Sequence, residues 1–350
     1  MKKILIACVV IILLAGFSYY VLKSGSSKSS APPAGISQTG AEQAQSVTDA
    51  VDWTPSKDNP YMLLKNVKFR FAEDIYFNVH NMLSLTEPAK PYKYVNMNDG
   101  KSFIINIITA QCSLDPFVME NLFNNYVLNY EGSPLKKLKI AMAEMDVNGE
   151  KIPSLKISGM MRMGVWLPFE MTSRVGLEKS TNQMTIEALK IKSVGLPFVK
   201  NLMDMSGIKL ETLLSIKPGR GLSIVKNTMY VDALNLTPPP KLAGNILDVR
   251  VNVKNNCVDL RLGQEKPADV KYTLLVPEAK NYIYIFNGSL IFGKLFSSNG
   301  RLQLVDANPS DYFDFYLDKY LLQLSRSDIK MTEDAAMVVN TRDYQSIVKQ

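Results

Sequence analysis

The sequence predicts an α+β fold built on long antiparallel strands, and three observations carry that expectation. First, "GMMRMGVWLPFEMTSRVGL", residues 159–177, is apolar at Met161, Met163, Val165, Phe169, Met171, Val175 and Leu177. It is polar between them at Arg162, Glu170, Thr172 and Arg174. That period of two is expected of a strand with one dry face. Second, "GLPFVKNLMDMSGIKLETLL" places Leu196, Val199, Met203, Leu210, Leu213 and Leu214 at helical spacing, predicting an amphipathic helix with Pro197 near its start. Third, Lys2 and Lys3 precede an uncharged run from Ile4 to Leu22, about the length that crosses a bilayer as a helix.

The elements follow in order. Residues 1–23 predict a transmembrane signal-anchor with the N-terminus in the cytoplasm and the rest translocated. A cleaved signal peptide is an alternative, as is lipidation at Cys8, although only four residues separate Lys3 from that cysteine. Residues 24–59 are rich in Ser, Gly, Ala, Pro and Gln and predict a flexible linker. Strands are expected in "DIYFNVHNMLSL" and "KSFIINIITAQC". "DPFVMENLFNNYVLNY" predicts a helix capped by Asp115, with Pro116 at its first position. A meander follows, turning at "DVNGEK", "VWLP" and "EKSTNQ". After the helix of residues 196–214, strands return through "LSIVKNTMYVDALNL" and "NILDVRVNVKNNCVDLRLG". Residues 264–350 read as a strand–helix–strand extension, with "PSDYFDFYLDKYLLQL" as an aromatic-rich amphipathic helix.

Chemistry is sparse. The chain has one histidine, His80, and lacks a G-x-S-x-G elbow, so a Ser-His-Asp site has little to draw on. Cys112 and Cys257 have no metal-ligand spacing and read as buried thiols; a disulfide between them is the alternative. No metal or cofactor is expected. Asp311, Asp314 and Asp318 would share one helix face, which reads as a solvated stripe or as the carboxylates of an envelope-polymer hydrolase. Residues 151–262 hold sixteen Lys and Arg against eight Asp and Glu, while the rest of the chain holds 24 against 25. The net charge of +7 therefore sits there, suiting phosphate-bearing partners. Nucleic acid is not expected, because no recognised binding module is present. Seven of the 17 methionines fall between residues 160 and 205. Methionine is overused where variable apolar shapes must fit, so the cluster reads as either an ordinary core or a groove for acyl chains. In the second case Arg162, Arg174, Lys190 and Lys192 are the headgroup-binding candidates.

The order of an "LPF" strand pair, "VGLP" opening a helix, "VDALNLTPPPKLAG" and a closing "DVRV…VDLRLG" pair resembles the tubular lipid-binding (TULIP-like) proteins of bacterial envelopes. The resemblance covers about residues 150–263 and, more loosely, 60–150. It implies a long curved antiparallel sheet wrapped around an amphipathic helix, an elongated apolar cavity for phospholipid or glycolipid, and no catalytic residues. It places Met161, Met163, Val165, Phe169, Met171, Phe198, Leu202 and Met203 toward the lipid. The expected protein is thus a non-enzymatic, inner-membrane-anchored lipid binder with residues 60–263 as its domain. The alternative is an anchored scaffold whose 311–324 helix contacts another envelope protein.

Overall fold

The computed structural model describes residues 59–193, 209–214, 216–219 and 221–349. The chain runs through β1 (Tyr61–Ala72), β2 (Ile75–Pro88), β3 (Val95–Asn96) and β4 (Phe103–Leu114) before a helix at Pro116–Asn121. Then come β5 (Leu135–Val147), β6 (Glu150–Met163), β7 (Val165–Glu178) and β8 (Gln183–Ser193), a short helix at Leu210–Leu213, β9 (Leu222–Val225) and β10 (Thr228–Val231). The remaining strands are β11 (Lys241–Ala243), β12 (Asn245–Asn252), β13 (Cys257–Gly263), β14 (Tyr282–Phe286), β15 (Ser289–Phe292), β16 (Leu295–Ser298) and β17 (Arg301–Asp306). They are followed by β18 (Phe313–Tyr316), β19 (Asp328–Met331) and β20 (Met337–Thr341).

Sheet dominates. Eleven strands form one sheet in the order β12-β13-β4-β2-β1-β14-β17-β20-β19, with β11 added beside β4 and β18 beside β1. Six form a second, β5-β6-β7-β8-β10-β9, and three a small third, β16-β15-β3. The inward residues of the two large sheets belong to one apolar cluster, joined by Val118, Met119, Leu122 and Phe123.

Local chemistry explains the main elements. Asp115 accepts the Val118 N–H at 3.0 Å and caps the first helix, which continues as a π-helix over Leu122–Val127. Glu120 of that helix accepts the Ile140 N–H at 2.9 Å and so ties the helix to β5. The β5–β6 hairpin turns at Asn148 and Gly149, both at positive φ, as a tight two-residue turn requires.

Alternation breaks where β1 and β2 each shift face. Met62 and Leu64 point inward, then Val67, Phe69 and Phe71, while Leu63 and Leu85 face outward. Asn66 sits at φ 49°, and the β2–β4 register slips between Val79 and Asn81. These irregularities move the side-chain parity by one residue. The outward apolar group, including Leu85, Ile108, Tyr284 and Phe286, is covered by Val270, Leu274 and Leu275. Gln303, fully buried, holds that covering segment by accepting the Leu275 and Val276 N–H groups.

Two expectations are corrected. The reversal after β6 falls on Gly164, at φ 74°, and "VWLP" lies inside β7. Residues 311–324 are not one helix: β18 pairs in parallel with β1, and helix is confined to a 3-10 turn and Tyr320–Leu324. The aromatic spacing that imitated a helix face is the two-sided burial of "FDFY", every residue of which is buried. The structure also settles where the C-terminal strands go: β14 and β18 both pair with β1, so strands from 264–350 lie in the same sheet as those from 60–263. The 1–23 span and most of the 196–214 helix lie outside the described residues. Among the described residues, no helix is long and apolar enough to cross a membrane.

Candidate functional site

The inner face of the six-stranded sheet gathers part of the expected apolar set. Met161, Phe169 and Met171 are 1%, 4% and 3% exposed. They meet because β6 and β7 pair Ile157 with Met171 and Gly159 with Phe169. Gly159 is required there: a Cβ would come within 2.8 Å of Leu138 Cδ2 and 3.0 Å of the Lys136 carbonyl. Across from these residues stand Leu210 and Leu214 of the short helical turn. All fourteen residues lining the space between are apolar, and three are methionine.

That space is small. It amounts to about 20 Å³, room for about one water, whereas ligand pockets run from about 300 Å³ upward. A second cavity, bounded by Phe69, Phe77, Met82, Ile105 and Leu242, is likewise about 20 Å³. Neither of these two spaces has the size of the elongated chamber implied by the resemblance.

Other candidates fall elsewhere. Val165 has the inward parity, but it sits on the hairpin tip beyond the packed body and is 63% exposed. Met163 lies opposite it at the end of β6, and its side chain is outside the described set. Phe198, Leu202 and Met203 also fall outside the described residues.

The four basic candidates lie on the opposite face of the sheet. Arg162 pairs across the hairpin with Trp166, Lys192 with Glu170, Lys190 with Thr172 and Arg174 with Glu187. Even-numbered positions of β6 and β7 point away from the core, so none of these cations reaches the methionine face. Arg174 donates to Glu187 at 2.6 Å, and Lys156 pairs with Glu170 at 2.8 Å. Lys139 pairs with Glu120 at 2.8 Å. Among the described residues, Arg162, Lys190 and Lys192 have no carboxylate at ion-pair distance.

Sequence reasoning missed Lys136, whose ammonium lies 3.9 Å from the Trp166 ring centroid. The register that pairs Lys136 with Met160 would have placed it on the outer face, but the bulge at Lys137 (φ 54°) hides that register from simple alternation.

The remaining polar groups are occupied structurally. His80 Nδ1 is hydrogen-bonded to the Tyr312 hydroxyl. Asp314 is not on a solvated stripe: it is 5% exposed and receives Arg70 Nε at 2.5 Å and Nη2 at 3.1 Å. Asp306 receives Asn281 Nδ2 at 2.9 Å, and burial raises its carboxyl above the usual range. Cys112 and Cys257 are both free and buried. Cys112 pairs with Leu260 and faces the core, whereas Cys257 is two residues from Asp259 on the other face and contacts its carboxylate at 3.3 Å. Burial pushes the two thiols up to about 12 and about 11, far from thiolate reactivity at neutral pH. Among the described residues, no three His, Cys, Asp or Glu side chains converge as metal ligands do.

The arrangement therefore offers an apolar seam on one side of the six-stranded sheet and a basic surface on the other. No family model, curated protein or solved structure matches the chain.

Proposed function

We propose that this is a non-catalytic protein of the bacterial envelope that binds or carries phospholipid or glycolipid along the inner face of the six-stranded sheet. Residues 1–23 would hold it in the inner membrane, with the folded part outside the cytoplasm. The finer architecture, a curved sheet closing around the amphipathic helix of residues 196–214, belongs to the same proposal.

The observation that carries it is the wholly apolar lining centred on Met161, Phe169 and Met171. A methionine-rich seam repacks around an apolar guest at lower cost than a core of branched side chains. The small cavity sets the condition: taking up an acyl chain requires the seam to widen roughly fifteenfold, from about 20 Å³ toward the smallest ligand pockets. The test is to purify the full chain from its membrane, extract it for lipid mass spectrometry and titrate it with fluorescent phospholipid. Stoichiometric co-purified lipid with saturable uptake is expected. Neither lipid nor uptake would end this reading.

A second reading, an anchored scaffold, is favoured by the same closed interior. Of the contact residues this reading expects in the 311–324 segment, Tyr312, Phe315 and Tyr320, the last two are 1% and 2% exposed and only Tyr312 is partly open. Leu321 and Leu322 on the short helix, with Leu295 and Phe296 on β16, are among the exposed apolar groups in that half of the chain, beside Tyr272, Ile329, Met331 and Val348. In-cell crosslinking from Leu321 or Phe296 to one protein, without lipid, would select it.

A further inference from the structure

The hairpin joining β6 and β7 carries a combination that the lipid seam does not explain. Val165, 63% exposed, stands at its tip beside Gly164. One position further along, Trp166 is only half-buried and turns to the outer face, with the Lys136 ammonium 3.9 Å from its ring centroid. Arg162 faces Trp166 across the strand pair and is exposed. Two rows behind on the same face come Lys192 and then Lys190. Glu170, opposite Lys192 in register, is the carboxylate in this row and is ion-paired with Lys156. An aliphatic tip, an indole and a surplus of cations over carboxylates would be a liability on a surface meant only for water. An indole at headgroup depth with Lys and Arg around it is how proteins meet the interface of a negatively charged bilayer.

We propose that this hairpin and the adjoining outer face of the six-stranded sheet form a docking surface for an anionic lipid bilayer. Val165 enters the boundary between headgroups and acyl chains, Trp166 sits at headgroup level, and Lys136, Arg162, Lys190 and Lys192 contact lipid phosphates. The four cations thus read a membrane surface rather than the headgroup of a lipid whose tails lie on the inner face, since the sheet itself separates the two. The inference is independent of cargo binding and survives its failure.

The test uses the full chain with Trp53→Phe, which leaves Trp166 as its one tryptophan. It is reconstituted in phosphatidylcholine vesicles with or without phosphatidylglycerol, each containing acyl-chain-brominated lipid. Bromolipid quenching of Trp166 is expected in the anionic vesicles alone and should be relieved by high salt. Arg162→Gln with Lys192→Gln should lower the docked-to-free ratio about thirtyfold, on the usual contribution per basic residue near such a surface. Val165→Asp should abolish quenching with an unchanged thermal melt, the position being outside the core. Three results overturn the proposal. Trp166 could stay open to acrylamide and unquenched by bromolipid; it could be quenched equally in neutral vesicles; or it could be shielded from acrylamide without bromolipid quenching, which places a protein or a second copy of this chain on the hairpin instead.

Discussion

The joint between Arg70 of β1 and Asp314 of β18 is the sharpest test of how the chain closes. Both side chains are nearly inaccessible, at 6% and 7% exposure, and their nearest atoms are 2.5 Å apart. Arg70 Nη1 also donates to the Glu73 carbonyl at 2.6 Å, and its guanidinium lies 4.8 Å from the Tyr76 ring centroid. Asp314→Ala removes both carboxylate acceptors and leaves a buried cation with one backbone partner. Breaking a buried pair from one side costs about 3–5 kcal/mol, because the surviving charge is desolvated and uncompensated. Replacing both, as Arg70→Met with Asp314→Leu, removes that charge together with its partner and fills similar volume. The double variant should therefore recover to within about 1–2 kcal/mol of the parent. Urea unfolding of the full chain in detergent, followed by circular dichroism, reads this as a lower midpoint at unchanged slope for the single variant. If Asp314→Ala costs under about 1 kcal/mol, as an exposed pair would, then the parallel pairing of β18 with β1 is wrong. β14 would still join β1, so the placement of residues 313–316 alone would be overturned.

Three further outcomes follow from the same structure. Burial pushes the Asp343 carboxyl up from 3.8 to about 6, so the folded chain holds a proton there that the unfolded chain has lost. This group's contribution to stability falls as pH rises from about 4 to 6. Asp343→Asn, which keeps an oxygen for the Asp314 N–H now bound at 2.7 Å, should remove that fall and leave the variant the more stable above pH 6 in paired melts. Gly263→Ala should lose more than the about 1–3 kcal/mol of an unfavourable backbone region. Gly263 sits at φ 125°, and a Cβ would lie 2.3 Å from the Ile108 carbonyl oxygen; a melt within a degree of the parent would contradict that geometry. Replacing Met161, Met171 and Met229 together with Leu should change stability by under about 1.5 kcal/mol per site yet sharply reduce phospholipid uptake. Equal uptake would show that the methionines serve packing alone.

Much of the strand order was legible because its signals were local. The alternation from Leu155 to Met171 needs only a dry face and a wet one, and Asn148–Gly149 needs only a turn with two positive φ values. Asp115–Pro116 read as a helix start for the same reason and is one. What failed was non-local. "FDFYLDKYLLQL" carries apolar residues dense enough to satisfy a helical period, and only the pairing of Val67 with Phe313 and Phe69 with Phe315 makes its first part a strand. Asp314 read as one of a solvated stripe because its partner, Arg70, is 244 positions away. Val165 had the right parity for the inner face, but parity cannot say where along a hairpin the packed body ends.

That last failure bears on what the six-stranded sheet is for. The β6–β7 pair ends in Gly164, Val165 and Trp166. A hairpin tip is ordinarily capped with small polar turn residues; this one exposes a valine and half-exposes an indole. The cations follow the same side: Lys136 and Arg162 crowd the tip, while the described residues that line the space on the inner face are all apolar. Since a one-residue step exchanges the two faces, such complete segregation depends on the register set by the bulge at Lys137 and the turn at Gly164. A deletion at either position would put lysines against Phe169 and methionines in solvent. The register is therefore as much a functional specification as a folding one, and the face that meets water or membrane is fixed by the same hydrogen bonds that seal the core.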